Sequence, residues 1–262
     1  MTYPQAVVLG VVQGVTEFLP VSSSGHLILV PRLFGWPDQG LAFDAAIHLG
    51  TLAALLVYFR GELRALASGA LSPRIGLLLV LATIPGGLAG LLFDKLIEAH
   101  LRSALVVATS TALWAIVMAV ADRRAAPPAA GGGDPLERVS GGQALAIGCA
   151  QALALIPGTS RSGITITAAL FGGLDRPTAA RFAFLLGIPI TAGAGTLQTL
   201  HLLRAGLPSA ESGPLVAAVV AAFVSGWIAV SFLVSYLKRR SLLPFVLYRL
   251  LVAAVIFALV LR

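Results

Sequence analysis

Cysteine and charge are the scarcest features of this 262-residue chain. A single cysteine, Cys149, excludes an internal disulfide and a metal site built from several thiolates. Only 11% of the residues are charged, where soluble domains carry about 25%. The first residues lack a basic stretch followed by a small-residue cleavage site, so no removable signal peptide is expected. Apolar surface takes the place of charge: 58% of the residues are hydrophobic and the mean hydropathy is +0.93. Several apolar runs match the roughly 20 helical residues that cross a hydrocarbon core. The chain therefore reads as a polytopic helical membrane protein. In that setting the net charge of +7 reflects the loop bias that sets orientation, and no nucleic-acid partner is expected.

Six segments read as full spans: 42–59, 75–93, 104–121, 178–203, 214–237 and 244–261. Two regions, 4–35 and 141–173, each hold a short apolar helix, a Pro/Ser/Gly loop and a second short helix. Broken backbone at membrane depth is tolerated only where it is buried in protein or lines a cavity, so both read as re-entrant hairpins. The expected fold is an all-α integral membrane protein with six transmembrane helices plus two re-entrant helix–loop–helix hairpins in an inverted repeat. Repeat one is 1–121, a linker follows at 122–140, and repeat two is 141–262. The linker reads as a flexible polar loop without chemistry. Arg60, Arg64, Arg74, Arg123, Arg124, Arg138, Arg176, Arg181, Lys238, Arg239 and Arg240 would share one side of the membrane. Arg32, Lys95, Arg102, Arg204 and Arg262 would lie on the other. The richer side reads as cytoplasmic, which puts both termini outside.

The two hairpins carry a repeated motif. QGVTEFLPVSSSGHL (13–27) returns 138 residues later as QALALIPGTSRSGIT (151–165), aligning Gln13 with Gln151, Ser22 with Ser160, Ser24 with Ser162 and Gly25 with Gly163. The first copy carries Glu17 and His26; the second carries Arg161. Two polar loops of opposite charge in an apolar chain read as two halves of one site.

A cation at bilayer depth costs on the order of 3 kcal/mol on insertion scales, so Arg161 marks a functional site by default. Around it PGTSRSG supplies the hydroxyls of Thr159, Ser160 and Ser162, the backbone of Gly163 and the start of a helix, a setting suited to anions. The arginine fork fits phosphate oxygens. A structural ion pair with Glu17 is the plainer alternative. Thr165 on the same segment and Ser22 on the other loop join the candidate substrate contacts. Beside a phosphate loop, Glu17 reads as a metal ligand or a base. Gln13, one helical turn earlier, adds a metal contact or a hydrogen bond to substrate. His26 is a candidate acid, base or nucleophile. Ser24 reads as the cap of the following helix. Ser23 precedes His26 by three residues and would share its face. Asp44 and His48, four apart on the first span, read as a supporting or packing pair. Arg249 reads as snorkelling to the headgroups.

With these residues in view, the chain resembles the bacterial undecaprenyl-diphosphate phosphatases of the integral-membrane bacitracin-resistance type. Both loop motifs carry the resemblance, with FDAAIHLGT after the first hairpin and YRLLVA near the end. The second motif matches the family's PGxSRSG fully at Pro157 to Gly163; in the first, Gln13 stands where the family has a glutamate. The resemblance implies hydrolysis of a polyprenyl diphosphate in the bacterial inner membrane, recycling the carrier lipid for peptidoglycan. It also implies a divalent cation, for which Glu17 and Gln13 are the expected ligands and Mg²⁺ or Ca²⁺ the expected ion. The attacking group is left open among Ser23, His26 and water, and a homodimer is left open too. The rival reading is a transporter or flippase of a lipid phosphate or other anion, since inverted repeats with broken helices are typical of transporters.

Overall fold

The computed structural model describes residues 1–37, 39–101, 103–127, 132–205 and 209–260. Among these, every regular element is helical. The helices are α1 (Tyr3–Phe18), α2 (Ser23–Phe34), α3 (Gly40–Tyr58), α4 (Arg60–Ser68), α5 (Pro73–His100) and α6 (Ala104–Arg123). They continue as α7 (Gly141–Ala152), α8 (Arg161–Phe171), α9 (Arg176–Ala205), α10 (Ser209–Leu237) and α11 (Leu243–Val260). Each of the six expected spans falls on a helix: α3, α5, α6, α9, α10 and α11. Among the described residues, four stretches are long and apolar enough to cross a membrane, in α5, α6, α10 and α11. The bent pair α3–α4, which turns by 62°, makes a fifth if it counts as one span. Arg102 and Arg262, used above to judge orientation, lie outside the described residues.

Both regions read as hairpins consist of a helix, a break and a second helix, α1–α2 and α7–α8, and they start alike. Thr2 caps α1 and Ser140 caps α7, each by a reciprocal capping box with a glutamine three residues on, Gln5 and Gln143. Both chains break near a proline. Both second helices then begin after a serine in the left-handed backbone region, Ser22 at φ +75° and Ser160 at φ +70°. These are the two non-glycine residues with positive φ among those described.

The hairpins pack crosswise. α1 lies on α10, and α7 lies on α5, with α6 against α11 and α3 against α9 completing the bundle. Glycine permits the two crosswise contacts. A Cβ at Gly10 would stand 2.2 Å from the Ala218 carbonyl oxygen, and one at Gly148 would stand 2.3 Å from that of Ala82. Small residues let backbones approach where lipid supplies no hydrophobic drive between helices. Phe18, beside Glu17, is buried edge-on against Phe184 with centroids 5.8 Å apart, which fixes the end of α1.

The linker departs from the flexible loop expected of its composition. Over the described part, Leu136 and Val139 are fully buried. Arg74 donates to the carbonyls of Glu137 (3.0 Å) and Val139 (2.8 Å). Arg181 donates to both carboxylate oxygens of Asp134, at 2.9 and 3.0 Å, and to Glu62 at 3.2 Å. Partial burial raises the pKa of Asp134, but the hydrogen bonds and charge of Arg181 outweigh it and hold the carboxyl below its ordinary range. Two apolar anchors and an arginine clasp thus dock a segment that Pro and Gly content marks as loose.

Candidate active site

The breaks in the two hairpins meet, and Glu17 is the centre of the meeting point. One carboxylate oxygen, Oε1, accepts from Arg161 Nη2 at 2.6 Å, joining the hairpins by a charged hydrogen bond. The other, Oε2, accepts from Gln13 Nε2 at 3.0 Å and from Ser23 Oγ at 2.7 Å. The two loops read from the sequence as halves of one site are therefore in contact. Glu17 is 8% exposed and Gln13 is fully buried, so the carboxylate is held by donors rather than by water.

Arg161 opens α8, and its remaining donors reach α9: Nη1 donates to the Gly187 carbonyl at 3.2 Å and to the hydroxyl of Thr191. Ser160 caps the helix, its Oγ accepting from the Gly163 amide at 3.2 Å. Ser162 Oγ crosses to the first loop and donates to the Leu19 carbonyl at 3.2 Å. The serine pairs are spaced alike in both loops, with Ser22 Oγ 3.3 Å from Ser24 Oγ and Ser160 Oγ 3.3 Å from Ser162 Oγ. Thr165 lies one turn inside α8, fully buried, donating to the carbonyls of Arg161 (2.8 Å) and Ser162 (3.3 Å). Thr159 is fully buried and its hydroxyl has no partner among the described residues.

Two readings of the first loop change. The residue at the N-cap of α2 is Ser22, not Ser24, and no side chain caps that helix. Ser24 is exposed instead. Ser23 does not pair with His26. Its hydroxyl is taken by Glu17, while His26 places Nδ1 2.8 Å from the Ser22 carbonyl and Nε2 2.6 Å from Tyr248 Oη. The rings of His26 and Tyr248 lie parallel, centroids 5.6 Å apart. The one-turn spacing holds, but the α2 backbone aims the two side chains at different neighbours.

Arg249 does not snorkel. It is 1% exposed, and its fork ends on backbone oxygens: Thr111 (3.3 Å), Pro20 (3.3 Å), Thr159 (3.0 Å) and Gly158 (2.9 Å). One guanidinium thus grips both loops and α6. From α6, Ser110 donates to the Pro157 carbonyl and Thr111 to that of Gly158, at 3.2 Å for the latter. Lysine would retain the charge but not the planar fork. Arg249→Lys is expected to lower turnover about tenfold or more, because freed carbonyls cost roughly 1–3 kcal/mol each and the loops lose their common tether. Turnover measured alongside thermal unfolding in detergent checks this; an unchanged rate would show that the loops hold their spacing without it.

Thr191 and Tyr248 carry no reading from the sequence, and His48 and Arg249 make contacts that their sequence readings do not name. His48, read there as a packing partner of Asp44, has Nε2 3.6 Å from Glu17 Oε2. Its signal was a histidine within an otherwise apolar span of the repeat that carries Glu17. Tyr248 and Arg249 are the first two letters of YRLLVA, a segment visible as a family likeness before its contacts were.

Among the described residues no cluster of three or more His, Cys, Asp or Glu side chains is placed to hold a metal, so the candidate donors for a divalent cation are Glu17 and Gln13. Glu17 supplies a carboxylate, and the second terminal atom of the Gln13 amide, Oε1, is buried without a partner among the described residues. Hard oxygen donors of this kind suit Mg²⁺ or Ca²⁺.

The family model for bacitracin resistance protein BacA matches residues 6–255. An undecaprenyl-diphosphatase of Teredinibacter turnerae is 46% identical over 261 residues, covering 96% of this chain and 97% of its own length. One from Thioalkalivibrio sulfidiphilus is 47% identical over 263 residues, covering 95% and 96%. Undecaprenyl-diphosphatase 2 of Stutzerimonas stutzeri is 47% identical over 268 residues, covering 97% of each chain. The chain is a multi-pass membrane protein of the bacitracin resistance protein BacA family.

Proposed function

We propose that this chain is an undecaprenyl-diphosphatase, removing the terminal phosphate of undecaprenyl diphosphate to leave undecaprenyl phosphate and inorganic phosphate. The observation that carries the reading is the Glu17–Arg161 contact between two hydroxyl-rich loops, in a chain nearly half identical to undecaprenyl-diphosphatases along its whole length. Arg161, with Ser160, Ser162 and the amides of the second loop, would take the diphosphate oxygens. Ser23 is the best-placed nucleophile. Its Oγ would bond to the terminal phosphorus as the bridging P–O bond breaks, and Glu17 Oε2 would accept its proton. Water would then cleave the phosphoserine. His26, engaged by Ser22 and Tyr248, would orient α2 rather than activate Ser23. When bound, a cation on Glu17 and Gln13 would neutralise charge on the phosphate oxygens. Phosphate release from a long-chain polyprenyl diphosphate by purified protein, with and without chelator, tests the function. No release under any metal condition would overturn it.

We also read the fold as an inverted repeat, 1–121 and 141–262, with six spans and two re-entrant hairpins in the bacterial plasma membrane and both termini outside. The matched capping boxes, the crosswise α1–α10 and α7–α5 packing and the paired positive-φ serines support the repeat. With Cys149 replaced, a cysteine at Gly35 should label from outside, and cysteines at Gly132 and Arg239 should not. The reverse labelling pattern would invert the topology.

A further inference from the structure

Beside Glu17 lies a histidine that the mechanism above does not use. His48 stands on α3 with Nδ1 2.6 Å from the Asp44 carbonyl oxygen. A backbone carbonyl only accepts, so Nδ1 carries a proton; in the neutral ring, Nε2 then holds a lone pair. Nε2 is 3.6 Å from Glu17 Oε2. That is too long for a hydrogen bond, and with a neutral ring two electron-rich atoms would face each other. Histidines that bind metals characteristically fix their tautomer in this way, donating the other ring N–H to a backbone carbonyl or carboxylate.

The Gln13 amide reaches the same oxygen at 3.0 Å. Turned over about its terminal bond, it would present its oxygen, now buried and unpartnered, on the Glu17 side. Ligands about 2.1 Å from a shared ion stand roughly 3–3.6 Å apart, which spans both separations. The imidazole is partly exposed and the carboxylate is buried, as expected for a site open on one side to substrate.

Building on the metal-dependent reading above, we propose that His48 Nε2 is a third protein ligand of the cation held by Glu17 and Gln13. An all-oxygen set would favour Mg²⁺ or Ca²⁺, whereas one imidazole nitrogen moves the preference toward Mn²⁺, Co²⁺ and Zn²⁺. The competing account is a protonated His48 that pairs with Glu17 through charge alone.

Mn²⁺ is the probe, added to the full chain in detergent or nanodiscs. Pulsed electron paramagnetic resonance of the bound ion should show modulation from an imidazole nitrogen. His48→Gln and His48→Leu should each remove the modulation and weaken Mn²⁺ binding about tenfold or more, with Ca²⁺ binding changed much less. His26→Gln should leave the modulation in place. Bound Mn²⁺ without nitrogen modulation in the wild-type protein overturns the role of His48 and leaves the metal reading standing. Absence of Mn²⁺ binding, together with chelator-insensitive phosphate release, overturns both. If the His48 variants fail to fold, the wild-type spectrum and the His26→Gln control still decide between a nitrogen ligand and a charge pair.

Discussion

Arg161→Ala is expected to abolish turnover, by about 10³-fold or more, the scale on which transition-state arginines contribute to phosphoryl transfer. The side chain opens α8 with its fork spread over three partners on two other elements: Glu17, the Gly187 carbonyl and Thr191. Truncation removes the cation that would meet the phosphate and leaves Glu17 without its charge partner. Breaking one side of a buried pair costs about 3–5 kcal/mol, so the alanine variant also loses stability. Arg161→Lys separates the two effects. Lysine keeps a positive charge near Glu17 and preserves much of the fold, but it cannot offer two parallel donors. The lysine variant should therefore unfold near the wild-type temperature and still hydrolyse little substrate. Phosphate release and thermal unfolding, measured on both variants, check this. Wild-type-like hydrolysis by the lysine variant would sink the phosphate-clamp role.

Glu17→Gln should remove most activity, about 10²-fold or more, the loss typical of a single charge-stabilising group in an active site. The substitution is nearly isosteric, so its effect is chemical. Glu17 accepts three hydrogen bonds, from Arg161, Gln13 and Ser23. An amide offers one acceptor and one donor group, so with Arg161 kept on its oxygen, Gln13 and Ser23 would have to turn over and accept from its N–H groups. It would also remove the carboxylate proposed to receive the proton of Ser23 and to anchor the cation. Gln13→Glu should behave oppositely, keeping activity or raising metal affinity, because it places a second carboxylate one turn away on the same face of α1. Metal titration and phosphate release on both variants are the measurements. Full activity in Glu17→Gln would show that the carboxylate is neither ligand nor base.

Helix placement was legible in the sequence because hydrophobic run length and Pro/Ser/Gly breaks are local signals. The union of Glu17 with Arg161 was legible because the motif repeat carries complementary charge. What escaped was set by contacts between distant segments. Arg249 looked like an ordinary cation near the end of a span; its role depends on four carbonyls from α6 and the two loops, which no local pattern reveals. Ser23 and His26 were placed on one face by spacing alone, yet the side chains diverge because Glu17 and Tyr248 draw them apart. The linker's composition suggested looseness, while Leu136, Val139 and Arg181 tie it down through partners on α4, α5 and α9. His48 was read with Asp44 as a supporting or packing pair, and its approach to Glu17 was not visible because Glu17 is on another helix.

The carbonyl grip of Arg249 also bears on what the site will accept. Among the described residues no carboxylate pairs with it, so its charge is solvated only by backbone oxygens. Glu17 and Arg161 cancel each other; Arg249 leaves the ligand-free loops with a positive surplus in surroundings of low dielectric. Such a surplus favours an anionic headgroup over the neutral lipid alcohol, and it does not vanish when the diphosphate is cut. Both products, the lipid monophosphate and free phosphate, remain anions, so the charge that would favour capture of the substrate would also oppose release of the products.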